Sequence, residues 1–251
     1  MSGLRVTGVS KSFGTLDVLR DLELAVEPGE FAAVIGPSGS GKSTLFNLVS
    51  GLDRPTSGQV LVEDEPAGVA SGKVAYMPQK DLLFPWRTVL DNTALGLEAQ
   101  GVRKKEARAR GGALFADFGL DGFQRAYPSE LSGGMRQRAA LLRTVVLGRP
   151  VLLLDEPFGA LDSLTRTELQ LWLAGMWQRH RWTVVLVTHD IREAVLLADT
   201  VHVLSPRPAT VVDRVAVPLP HGERDFTAPE FTAVERRILD ALRGTTAVTA
   251  P

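Results

Sequence analysis

Apolar and polar positions alternate over Leu4 to Val9 and over Leu22 to Val26, the pattern of half-buried antiparallel strands. Pro28-Gly29 punctuates a turn. Phe31 to Ile35 is continuously apolar, as a strand covered on both faces is. A glycine-rich loop follows, then helical spacing over Ser43 to Ser50 that stops at Gly51. Strand patterns return at Gln59 to Val62 and Val74 to Met77. From Thr88 to about Leu147 the period turns helical. One helix is expected over Arg103 to Phe118, weakened by Gly111 and Gly112, and another over Gly133 to Leu147, striped by Leu141, Leu142, Val145 and Val146. The buried-strand pattern recurs at Val151 to Leu154 and Thr183 to Val187, with a helix over Leu164 to Arg179 between them. Val201 to Leu204 and Thr210 to Val215 read as closing strands. A proline-rich stretch from Pro218 leads to a helix from about Pro229 to Arg243, with Gly244 to Pro251 expected to fray.

Strands alternating with helices imply a parallel sheet covered by helices. The helical block at about 80–147 reads as an insertion between two sheet strands. One domain is expected over residues 1–217, with a C-terminal extension over 218–251 carrying one helix. The 251 residues are 44% hydrophobic and 23% charged, which supplies a full core without staples. There is no cysteine, so disulfides and thiolate metal sites are excluded. The net charge of −1 argues against nucleic acid as a partner. Runs such as Val184 to Val187 fall far short of the roughly 20 apolar residues of a membrane-spanning helix. Residues Met1 to Arg5 lack the apolar stretch of a signal peptide, and the chain reads as cytoplasmic.

Gly36-Pro37-Ser38-Gly39-Ser40-Gly41-Lys42-Ser43-Thr44 fits the spacing of a phosphate-binding loop. Its glycines let successive N–H groups turn toward phosphate oxygens, and the following helix adds its free N–H groups and positive dipole end. Lys42 is expected to reach the β- and γ-phosphates, and Ser43 to ligate Mg²⁺, which prefers oxygen ligands. Val151 to Leu154 ends in Asp155-Glu156. The C-terminal ends of parallel strands line the ligand crevice, so Asp155 is expected to face Mg²⁺ and Glu156 to orient or deprotonate the water that attacks the γ-phosphate. The pair alone is equally compatible with a strand end that caps the next turn.

Leu131-Ser132-Gly133-Gly134-Met135-Arg136-Gln137-Arg138 puts serine and two glycines directly before a helix. Ser132 is a good N-cap, and the segment is also a second helix end able to bind an anion. Here the chain resembles the ATP-binding-cassette (ABC) ATPases, whose LSGGQ signature matches except at Met135. The expected fold class is therefore α/β: a phosphate-loop NTPase core with a mostly parallel sheet, an N-terminal antiparallel β subdomain and an inserted α-helical subdomain. The resemblance runs to about residue 215 and assigns further roles. Gln79, in Met77-Pro78-Gln79, looks like the glutamine that senses Mg²⁺ and the attacking water. Asp162, in Ala160-Leu161-Asp162, looks like the D-loop residue, and His189 like the switch histidine at the γ-phosphate. Phe13 sits where the family stacks a ring on adenine. Read singly, Gln79 fits a turn, His189 a helix cap and Phe13 ordinary core. The resemblance also implies two chains facing head to tail, with Ser132, Gly133 and Gly134 of each meeting the ATP held by the other.

Without a membrane span, such a cassette requires separate permease subunits. Phe84-Pro85-Trp86 lies in a stretch, Leu83 to Asn92, that resembles the branch importing nitrate, sulfonates, taurine and pyrimidine precursors. Such importers imply an extracytoplasmic solute-binding protein and place the cassette on the inner face of the membrane. Trp86 is expected to face a groove between the sheet core and the helical insertion, although both rings also fit a core. An exporter subunit shares every motif but this one. A non-transport cassette usually adds a long coiled coil or a second cassette, and neither pattern is present.

Overall fold

The computed structural model describes residues 3–68, 70–222 and 224–247. Ten strands and seven helices are ordered β1 (Leu4–Phe13), β2 (Leu16–Val26), β3 (Phe31–Ile35), α1 (Lys42–Val49), β4 (Ser57–Val62), β5 (Glu65–Pro66), β6 (Val74–Met77), α2 (Val89–Ala99), α3 (Lys104–Gly112), α4 (Gly133–Val145), β7 (Val151–Asp155), α5 (Ser163–His180), β8 (Thr183–Thr188), α6 (Ile191–Leu197), β9 (Thr200–Leu204), β10 (Val211–Ala216) and α7 (Pro229–Ala247) among the described residues.

β2, β1, β4 and β5 form an antiparallel sheet in that order, and β10, β9, β3, β8, β7 and β6 form the second. In the second, β3 pairs in parallel with β8 and β9, and β7 with β6 and β8. Only β10 runs antiparallel, on the edge. β3, β7 and β8 are buried at every position, which is why their sequences are unbroken apolar runs rather than alternating ones. Along β3, Phe31, Ala33 and Ile35 join the core under the helices, while Ala32 and Val34 join the core shared with α1 and the first sheet. That alternation is the two-residue period of a strand.

β1 and β2 are longer than the alternation predicts. The β1–β2 register shifts between Val6 and Val9 and again near Lys11, and Gly8 takes φ +58°. Each bulge flips the inward face of the strand, so a period-two reading ends there while the pairing goes on. Between β6 and β7, hydrogen-bonded neighbours paired from Val74↔Val151 to Met77↔Leu154, the chain leaves the sheet and builds α2, α3 and α4. α3 stops at Gly112, not Phe118. The glycines end it, and residues 113–119 continue in turns that bury Phe115 and Phe118 in the main core.

The C-terminal segment is packed rather than trailing. Phe231, Val234 and Ile238 of α7 are buried in the core against α6, β9 and β10. Arg224 donates to Val195 O, Leu196 O and Ala198 O, each at 2.9 Å, placing a cation on the free carbonyls at the end of α6. Burial lowers its pKa to about 10. The helix runs on to Ala247, past the expected end at Arg243. Residues 248–251, part of the segment expected to fray, lie outside the described residues. Among the described residues no helix is long and apolar enough to cross a membrane.

Candidate functional site

The glycine-rich loop joins buried β3 to α1 at the C-terminal edge of the parallel sheet. Gly39 and Gly41 take φ +76° and +106°, a region that L side chains rarely enter. A Cβ on Gly41 would also stand 2.8 Å from Val18 and 2.9 Å from Leu19, so the loop is seated on β2. Ser38, Gly39, Gly41, Lys42, Ser43 and Thr44 line an open cavity of about 750 Å³ with Phe13, Leu16, Val18, Glu156, His189 and Arg207. Gly36, Pro37 and Ser40 do not line it. Gly36 packs on Leu204, and the Ser40 hydroxyl is buried with no partner among the described residues.

Lys42 is only 8% exposed. Its Nζ donates to Gly36 O at 2.8 Å and Pro37 O at 3.0 Å, so the ammonium is curled against its own loop. Burial lowers its pKa, while Glu156 and Asp155 oppose that shift. Asp155, at the end of β7, is 8% exposed and outside the cavity lining. Tyr76 donates its hydroxyl to Oδ2 at 3.0 Å. Burial raises the Asp155 pKa, and burial together with this carboxylate raises that of the phenol.

Glu156 is the meeting point. It takes φ +43°, a left-handed conformation uncommon outside glycine, and its N–H donates to Val187 O at 2.9 Å. Gln79 Nε2 donates to Oε2 at 3.0 Å, and His189 Nδ1 lies 3.3 Å from Oε1. Two residues from distant parts of the chain thus converge on one carboxylate. His189 precedes α6, whose cap Asp190 accepts from Arg192 N and Glu193 N at 2.9 and 3.3 Å. Glu193 is buried with a pKa pushed up to about 8 by burial, and it accepts from Gln170.

Phe13 is 51% exposed, with Lys11 Nζ 4.7 Å from its ring centroid, so it is not core. Ser132 and Asp162 do not line their own chain's cavity. Ser132 is exposed and caps α4, accepting from Met135 N at 3.3 Å, and Asp162 caps α5, accepting from Thr165 N at 3.1 Å. A Cβ on Gly134 would stand 2.8 Å from Thr165, and one on Gly133 3.3 Å from Leu161, so both helix starts are packed together. Tyr76 and Arg207 were not legible as site residues. Tyr76 is found only through the β6–β7 pairing, and Arg207 only through the packing of the loop after β9.

Beside this site, Gln79, Lys80, Asp81, Leu82, Gln137, Gly159 and Ala160 line a second groove of about 560 Å³. Trp86 is not among them, contrary to expectation. It is 71% exposed and stacks on Phe84 at 5.1 Å. The loop carrying both rings is held firmly. Asn92 accepts from Phe84 N and donates to Phe84 O, Arg87 O and Thr88 O, and Arg143 donates to Leu82 O and Asp81 O.

A family model described as ABC transporter matches residues 19–159. The chain is 47% identical over 201 residues to the formylaminopyrimidine import ATP-binding protein ThiZ of Halalkalibacterium halodurans, covering 80% of this chain and 78% of that protein. It is 39% identical over 253 residues to the nitrate import ATP-binding protein NrtD of Synechocystis, covering 96% and 95%. The dimeric structure of a post-hydrolysis state of the ATP-binding cassette MJ0796 bound to ADP and Pi superposes with a TM-score of 0.73 at 29% identity, covering 86% of this chain and 100% of that one.

Proposed function

The chain belongs to the ABC transporter family, and on that premise we propose that it is the ATP-hydrolysing subunit that powers a membrane importer of a small solute. The observation that carries this reading is the Glu156 carboxylate, held between Gln79 and His189 at a cavity floored by the phosphate loop. The loop N–H groups and the start of α1 bind the phosphate chain. Phe13, exposed at the rim, stacks on adenine. Lys42 exchanges the carbonyls of Gly36 and Pro37 for the β- and γ-phosphate oxygens, a charge-assisted and stronger pairing. Glu156 aligns a water with the γ-phosphorus. As the water oxygen bonds to phosphorus and the bond to the bridging oxygen of ADP breaks, Glu156 accepts the proton. Gln79 and His189 hold that carboxylate in place, and His189 donates to the γ-phosphate.

The donors present fit Mg²⁺. No group of three or more His, Asp or Glu gathers as a cage among the described residues, and Mg²⁺ at nucleotide sites is held through one or two carboxylates together with phosphate oxygens, waters and other oxygen donors. Ser43 Oγ, the Asp155 oxygen left unbonded by Tyr76, and the Gln79 carbonyl are such donors. Bound there, Mg²⁺ would neutralise charge on the phosphates.

Two chains are proposed to face each other, so that Ser132, Gly133, Gly134 and Asp162 of each complete the ATP site of the other. The exposure of Ser132 and Asp162, at packed helix starts outside their own chain's cavity, supports this, as does the dimeric state of MJ0796. Residues 1–217 would form the cassette, with the helical block 80–147 as its inserted subdomain and 218–251 as an extension. Partners would be separate permease subunits, holding the cassette at the inner membrane face, and an extracytoplasmic binding protein. The named relatives that import nitrate or formylaminopyrimidine support a solute of that size and polarity.

The permease contact is assigned to the Phe84–Trp86 loop, where two stacked rings stand in water on a fixed backbone. Interface hot spots are enriched in such anchors and lose about 2 kcal/mol or more on truncation. Trp86→Ala should therefore leave ATP turnover of the isolated chain intact while weakening co-purification with the permease on the order of tenfold and lowering transport. Unchanged assembly and transport would remove the docking assignment.

A further inference from the structure

Arg207 carries a positive charge into the cavity from outside the phosphate loop. It follows β9, between Pro206 and Pro208, and is exposed. Its backbone is nonetheless fixed. Ala209 N donates to Val18 O at 2.9 Å, and Arg20 N donates to Ala209 O at 3.0 Å. Ser205 N donates to Thr210 O at 3.0 Å, and Thr210 N donates to Ser205 Oγ at 3.0 Å. The loop is thus sewn to β2, the strand that supplies Leu16 and Val18 to the same cavity. The guanidinium leans over the phosphate loop, its Nη2 3.4 Å from where a Cβ on Gly39 would stand. Gly39 leaves that space open.

Among the described residues no hydrogen bond and no ion pair engages this guanidinium, and no carboxylate lies within ion-pair distance. Most other arginines that line a structured part of this fold are committed: Arg143 to carbonyls of the Asp81–Leu82 turn, Arg224 to the end of α6, Arg108 to Asp91. A guanidinium presents five donors in a planar fork matched to phosphate oxygens. An unengaged one, on a fixed backbone beside a loop whose N–H groups bind phosphate, lacks only an anion.

Resting on the nucleotide reading above, we propose that Arg207 is a direct ligand of the polyphosphate chain of the bound nucleotide, supplied by the loop after β9 and additional to Lys42. It reads phosphate charge, not the base. The carbonyl-bonded Lys42 is inside the loop, whereas Arg207 approaches from the solvent side, so the two cations would hold the phosphate chain from opposite sides.

The test compares wild type with Arg207→Ala and Arg207→Lys, measuring Kd for ATP and, by displacement of a fluorescent ATP analogue, for inorganic triphosphate. A charge-assisted hydrogen bond lost from a phosphate weakens binding about tenfold. Arg207→Ala should weaken ATP and inorganic triphosphate by the same factor, Arg207→Lys should recover part of the loss, and the defect should shrink as salt rises from about 0.05 to 0.5 M. Unchanged ATP affinity in Arg207→Ala overturns the proposal. So does a loss for ATP without a loss for inorganic triphosphate, which would assign Arg207 to the base. Lys42→Ala, run alongside, separates the two levels: normal ATP binding in that variant removes the nucleotide site itself, whereas a defect there with normal Arg207→Ala removes only the assignment of Arg207.

Discussion

Glu156→Gln should bind ATP as wild type does and hydrolyse it on the order of a thousandfold more slowly, the size expected when a general base is lost. The substitution is nearly isosteric. The Gln79 amide can still donate to the new carbonyl oxygen, and the backbone bond to Val187 is untouched, so the left-handed turn at φ +43° keeps its support. What disappears is the negative charge that accepts the proton of the attacking water. The check is phosphate release measured beside equilibrium ATP binding. Turnover within a few-fold of wild type would mean that the carboxylate held by Gln79 and His189 is not the base.

Lys42→Ala is expected to reduce ATP affinity on the order of a hundredfold and to abolish measurable hydrolysis. The ammonium is nearly buried and is the loop's only cation. Removing one partner of a desolvated charge pair costs about 3–5 kcal/mol, and part of that falls on the transition state, where charge on the γ-phosphate is greatest. The loop should persist without it. Gly39 and Gly41 still hold their conformations, and the bond from Ser40 N to Pro37 O does not involve the side chain. Isothermal titration with ATP, together with a phosphate assay, decides the matter. Tight binding with normal turnover would contradict the assignment of the loop.

The parts of the site written in contiguous residues are legible in the sequence. Phe31 to Ile35 and Val151 to Leu154 announce themselves because strands covered on both faces need no polar positions. The phosphate loop announces itself because glycine is the residue that most readily takes the φ values of Gly39 and Gly41. The rest depended on distant pairing. The Gln79–Glu156–His189 constellation joins the ends of β6, β7 and β8, and composition or spacing alone did not reveal it. The family resemblance supplied Gln79 and His189. Tyr76 reaches Asp155 only because β6 and β7 are neighbours in the sheet, an order that local periodicity does not encode. β1 looked short because its bulges reset the alternation. α3 looked long because Phe115 and Phe118 kept a helical spacing through turns that bury them by other means. α6, at seven residues, is too short to declare a helical period, although its cap at Asp190 sets where His189 stands.

The central claim is that one ATP site is completed by Ser132 of a second chain. Sedimentation of Glu156→Gln in saturating ATP and Mg²⁺ tests it most directly, with the double variant Glu156→Gln, Ser132→Arg beside it. Ser132 does not line its own chain's cavity, so the two variants should bind ATP equally well at protein concentrations too low for dimers to form. The single variant, unable to hydrolyse the bridging nucleotide, should sediment as a dimer. The double variant should remain a monomer, because an arginine at 132 fills the space the partner's γ-phosphate must enter. A single variant that stays monomeric under ATP, or a double variant that dimerises as well as the single one, would contradict the composite site.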